Sequence, residues 1–195
     1  MKLGKILVEA HQDLLEGMKL AKTEEEIHAW LDEHRIEGDF EIYGDGNNKK
    51  VIANGSIAII GHHELKYLGV EFGEVHGNFT SIHNGLRTLK GFPRIVTGEY
   101  VIKGKQVKTL EEGPVSVTGN VTISMTSITD LKGAPQTLGR DLIITANPNL
   151  TSLKGCGPKV EGTLIVSGNK KLDSFDGFPA HIGTQLIVNG GSQGV

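Results

Sequence analysis

The chain has 195 residues, 37% of them hydrophobic, a formal net charge of −3 and a single cysteine. That is long and apolar enough for one packed domain or one short repeat array, and it excludes an intramolecular disulfide framework or a multi-cysteine zinc site. The nearly balanced charge argues against a whole-molecule basic field for nucleic acid, and 27 glycines with only 5% aromatics point to many tight corners around small interior layers.

At the N-terminus, Leu3, Leu7, Ala10, Leu14, Met18 and Ala21 fall on one helical stripe, which predicts a helix over residues 3–21. Glu9, Gln12, Asp13 and Glu16 interrupt the apolar positions at helical spacing, unlike a signal-peptide core, and no apolar run reaches membrane-spanning length. The expectation is a soluble, cytoplasmic protein with no membrane partner. Thr23 followed by Glu26 is a capping box, and Ile27, Trp30, Leu31 and His34 continue as an apolar face, so a second helix is expected to run to about Glu33. Residues 1–37 therefore read as a helical cap over the first open end of the array that follows, and residues 38–195 as that array. Asp45-Gly46-Asn47 reads as a hairpin turn joining the two.

From Ser56 the chain falls into rows of 21 or 22 residues. The row anchors are Ile57, Phe79, Tyr100, Val121, Leu142, Leu164 and Leu186, each followed two residues later by a second inward position from Ile59 to Val188. A second apolar pair follows in each row, for example Leu150 with Leu153 and Leu172 with Phe175, then a Gly and Pro corner such as Gly91-Phe92-Pro93, Gly113-Pro114 or Gly133-Ala134-Pro135. Period-two strands at this repeat length with no helix between them predict a mainly β protein, a parallel β-solenoid of about six to seven 21–22-residue coils with an N-terminal α-helical cap. No single coil can bury its own inward residues; stacking turns each row position into a continuous ladder.

The segment Leu150 to Gly162, L-T-S-L-K-G-x-x-P-K-V-x-G, and its relative LRTLKGFPRIVTG resemble the leucine-rich-repeat-like solenoid proteins of large tailed bacteriophages. The lead-in EEIHAWLDEHRIEGDFEI and GVEFGEVHGNF is similar to that group in element order, and the likeness extends over residues 24–190. LIVSGNKKLDSF is more distantly similar to bacterial leucine-rich repeats and to receptor L-type β-helices, which implies a binding scaffold. The resemblance implies a phage-encoded protein acting in a host bacterial cell. Gly104 and Met125 stand where the leucine-rich pattern would place members of an asparagine ladder, so an incomplete ladder is expected.

The motifs of P-loops, nucleophile elbows, zincins and C-x-x-C redox sites are missing, so no catalytic residues, cofactor or metal are expected. His62 and His83, 21 residues apart, are expected to stack on neighbouring coils. With Glu64 they could hold a metal ion, but three ligands fall short of a structural site, and hydrogen bonding to corner backbone groups is the favoured reading.

Two outward columns are candidates for partner binding. Ile143, Ile165 and Ile187 stack on a face expected to meet water, and Leu186 and Val188 are inward residues of the last row with no capping element after Asn189. These five are candidates for a protein interface, including a homo-oligomer through the C-terminal coils. Lys66, Arg87 and Lys108 form a basic column that calls for neighbouring acids such as Glu99 and Glu111, or for an anionic partner. The expected function is a non-enzymatic interaction module presenting a rigid β face to a host, defence or phage protein. The alternatives are a structural or homo-oligomeric scaffold, and a binder of a small anionic ligand or nucleotide; without exposed aromatics among the basic residues, nucleic acid is the weaker expectation.

Overall fold

The computed structural model describes residues 18–189, and within them the repeat becomes a right-sized stack of parallel coils. One helix, α1 (Glu24–Glu33), precedes β1 (Phe40–Tyr43) and β2 (Lys50–Ala53). The strands of the coils follow as β3 (Ile57–Ile60), β4 (Phe72–Val75), β5 (Phe79–Ile82), β6 (Ile95–Val96), β7 (Tyr100–Lys103), β8 (Ser116–Val117), β9 (Val121–Ser124), β10 (Thr137–Leu138), β11 (Leu142–Thr145), β12 (Lys159–Val160), β13 (Leu164–Ser167), β14 (His181–Ile182) and β15 (Leu186–Asn189).

Each coil sends one strand to each of two sides. One side is a seven-stranded parallel sheet in the order β15-β13-β11-β9-β7-β5-β3; the other is a sheet in the order β1-β2-β4-β6-β8-β10, followed by the pair β12-β14, in which the strands from β6 onward are only two residues long. The register places Ile57, Phe79, Tyr100, Val121, Leu142, Leu164 and Leu186 in one line, as the row anchors require. All but Leu186 are buried. A third, irregular side is tied coil to coil by single backbone bonds, such as Arg87 N–H to the Lys66 carbonyl (2.9 Å) and Thr151 N–H to the Thr129 carbonyl (2.9 Å).

The interior is aromatic at one end and aliphatic at the other. Phe79 packs edge-on to Phe92 (centroids 5.0 Å) and stacks with Tyr100 (6.2 Å), while the later coils are filled by Val, Ile and Leu. The Tyr100 hydroxyl is buried and has no hydrogen-bond partner, and burial raises its pKa far above that of a free phenol. A buried donor left unpaired costs about 1–3 kcal/mol. Tyr100→Phe keeps the ring stack and removes the orphan, so it is expected to stabilise the protein by about 1 kcal/mol, read as a higher midpoint in urea denaturation.

At the N-terminal end the capping box forms as the sequence predicts. Thr23 Oγ1 accepts from Glu26 N–H (3.2 Å), and the Glu26 carboxylate accepts from Thr23 N–H (3.2 Å) and Lys22 N–H (2.7 Å), which holds its carboxyl below the usual range. Ile27 and Leu31 join the solenoid core, and the Trp30 indole lies so close to Gly69 that a Cβ there would collide with it. β1 and β2 form the expected antiparallel hairpin through Asp45-Gly46-Asn47, with Asn48 N–H bonding the Asp45 carbonyl. Most of the helix expected over residues 3–21 lies outside the described residues. Its last four residues, 18–21, are not helical, because Lys19 N–H donates to the Tyr67 hydroxyl (3.3 Å) and Ala21 N–H to the Gly69 carbonyl (2.7 Å), tying this stretch to the first coil.

The corners correct the sequence reading in two places. Gly91, Gly133, Gly155 and Gly177 turn with φ between 82° and 91°, but their counterpart in the intervening coil is Glu112 (φ 68°), one residue before the expected Gly113-Pro114 corner. Glu112 is anchored by the buried Thr88, whose hydroxyl donates to Oε2 (3.0 Å). The second place is the asparagine ladder. Gly61, His83, Met125, Ala146 and Gly168 share a left-handed conformation, and the ladder residue is the one after each. Lys105 and Thr126, not Gly104 and Met125, therefore occupy the two interrupted positions.

The ladder itself is a buried polar spine. Asn84, Asn147 and Asn169 each accept, through Oδ1, a backbone N–H from the preceding coil: His62 (2.9 Å), Thr126 (3.0 Å) and Asn147 (2.9 Å) respectively. Their amide nitrogens donate to the carbonyls of Ile59 (2.7 Å), Ile123 (3.1 Å) and Ile144 (2.9 Å). Corner backbone groups that no strand can pair are thus satisfied inside the stack.

Candidate interaction surfaces

The basic column stands as predicted, but its expected compensation does not. Lys66, Arg87 and Lys108 are exposed on successive coils of the irregular side. Glu111 instead pairs with Lys132 (2.7 Å), and Glu99 accepts from the Asn120 amide (3.0 Å). Among the described residues no carboxylate forms an ion pair with any of the three bases. Like charges held at this spacing repel, and no ion pair among the described residues offsets that repulsion.

Ile143, Ile165 and Ile187 lie in register on the outer face of the seven-stranded sheet. Each is half-buried, since β-branched neighbours cover one another along the sheet. The last coil is more open. Leu186 is 45% exposed and Val188 40%, although both occupy inward positions that are buried in the coils beneath. Phe175 (53%) and Phe178 (38%), an edge-to-face pair at 6.1 Å, complete the uncovered cross-section. Sequence reasoning missed these two as surface residues, because Phe175 sits in the same row position as the buried Leu153 and differs in that no later coil covers it among the described residues.

The histidine stack is a correction. Ile57 pairs with Phe79, so the row there is 22 residues long, and His62 lies over Asn84 while His83 lies over Gly61. His62 instead approaches the helix: its ring is 5.9 Å from that of His34, which stacks on Trp30 at 4.3 Å. Among the described residues no three His, Cys, Asp or Glu side chains converge to hold a metal ion. These rings border an open cleft of about 1320 Å³ between α1 and the first coil, where Lys66 and Tyr67 also project. Cys156 is partly buried, which pushes its thiol up to about 11 and keeps it protonated at neutral pH.

No helix among the described residues is long and apolar enough to cross a membrane. No protein-family model, curated protein or solved structure matches the chain.

Proposed function

We propose that this protein is a non-enzymatic interaction module that binds an acidic surface of a partner protein. The observation that carries the reading is the exposed column Lys66, Arg87 and Lys108, three bases in line with no ion-pair partner among the described residues. The bond from Arg87 N–H to the Lys66 carbonyl holds the first two at fixed spacing, so complementary carboxylates would meet a preorganised pair at little conformational cost. The resemblance of Leu86–Gly98 and Leu150–Gly162 to repeats of phage-encoded solenoids is what suggests a bacterial host, defence or phage protein as that partner.

The test is capture from bacterial cells by the intact protein and by the triple variant Lys66→Glu, Arg87→Glu, Lys108→Glu. The parent is expected to retain a partner in a salt-sensitive manner. Reversing three contact charges is expected to weaken binding by about 10–100-fold, from roughly 0.5–1 kcal/mol per charge. Equal retention by both proteins would overturn the assignment. A second reading, a small anionic ligand, is favoured by the cleft in which Trp30, His34 and His62 lie near Lys66; a thermal shift with nucleotides that disappears in Trp30→Ala would support it instead.

A further inference from the structure

We propose that the open C-terminal coil is a self-association surface, on which two copies meet end to end across a two-fold axis through Ile187. β15 pairs with β13 on one side, and its other edge has no strand beside it among the described residues. An edge strand of four residues offers unpaired donors and acceptors that a second strand can take.

Symmetry and side-chain parity together restrict the register to one whose axis passes through a residue. Residues opposite each other in an antiparallel pair must point to the same face, and a two-fold axis must map the strand onto itself. In β15, Leu186 and Val188 point inward and Ile187 outward, as their partners in β13 do. Of such registers, the one centred on Ile187 sets the two exposed inward residues against each other, Ile187 facing Ile187 of the second copy and Leu186 facing its Val188. The two exposed inward residues then close each other's core. On the outer face, the Ile143, Ile165, Ile187 line continues without a break into its symmetry mate.

The rest of the end fits the same axis. Phe175 and Phe178 lie 9 to 12 residues before Ile187, about half a coil, which on a closed turn sets them across from β15, where the axis would leave the molecule and the two aromatic pairs would meet. A coil of about 22 residues at about 3.3 Å per residue encloses about 400 Å², and with its rim the contact reaches only the lower range of specific interfaces. The association is therefore weak and concentration-dependent, as fits a contact between separately stable stacks.

The register makes a sharp test possible. A residue on the two-fold axis faces itself, with Cα atoms about 4.5–5.5 Å apart, within the span of a disulfide. In a Cys156→Ser background, Ile187→Cys is expected to form a covalent dimer under mild oxidation, while Ala58→Cys, at the other end of the same column, stays monomeric. Sedimentation velocity of the parent is expected to show dimer growing with concentration, and the Leu186→Glu, Val188→Glu variant, with an unchanged circular dichroism spectrum, only monomer. The proposal is overturned if Ile187→Cys does not cross-link, or if the charged variant associates like the parent. It is equally overturned if dimer appears only after residues 190–195 are deleted, since those residues would then be the occupant of the edge.

Discussion

Replacing Asn147 by leucine is expected to lower the unfolding free energy by about 4 kcal/mol, a large share of the stability of a domain this size. The side chain is fully buried, and its Oδ1 accepts both the N–H (3.0 Å) and the hydroxyl (2.7 Å) of Thr126 while Nδ2 serves the Ile123 carbonyl. Leucine fills the space but orphans those groups, each at about 1–3 kcal/mol. Urea denaturation with linear extrapolation measures the loss. Asn149→Ala is the control, since Asn149 only accepts from the Lys171 ammonium at the surface (3.1 Å), and a change under about 0.5 kcal/mol is expected there. Equal effects at the two sites would show that the spine is not what holds these corners.

Gly133→Ala is expected to cost more than 3 kcal/mol, roughly, because two penalties coincide. At φ 88° a side chain strains the backbone, and its Cβ would land on the Leu110–Glu111 peptide of the preceding coil. That peptide cannot retreat, since the parallel ladders on either side set the spacing between coils at about 4.8 Å. Gly46→Ala separates the two terms: Gly46 has φ 55° with open space around its Cβ position, so only the backbone strain remains, at about 1 kcal/mol. Thermal melts of the two variants beside the parent decide the ordering; comparable shifts would mean that crowding between coils contributes nothing.

The strand half of the architecture was legible because period-two alternation and a repeated spacing constrain each other. A slip of one residue would have turned Phe79 or Val121 outward, so their positions were overdetermined. The corners had no such check. After five of these strands one residue takes a left-handed conformation, and nothing in the identities of His83, Met125 and Ala146 signals it, while glycine at the equivalent place adopts it at Gly61 and Gly168 but not at Gly104. The count therefore drifted by one, and the ladder was assigned to the wrong neighbours. The same drift produced the supposed histidine pair, because a spacing of 21 falls one short where the strand row is 22 residues long.

The candidate surfaces were legible to a different degree. Spacing located the basic column. Lys66 and Arg87 stack at a spacing of 21 although the strand row there is 22 residues long, because the corner after β3 carries one residue more than the corner after β5 and so restores the register on the irregular side. Whether acids would neutralise it depended on side-chain reach, and Lys132 and Asn120 engaged the two acids instead. Exposure of Phe175 and Phe178 follows from position in the stack rather than from residue type, and no pattern within one row could announce it.

The asparagine spine gives the stack a direction. Each asparagine side chain reaches back to the coil before it and none reaches forward, so a turn that carries the asparagine supplies the oxygen that completes its predecessor. Such a molecule can be lengthened in evolution by duplicating one row, with no other part of the sequence altered, because the incoming segment brings its own means of attachment.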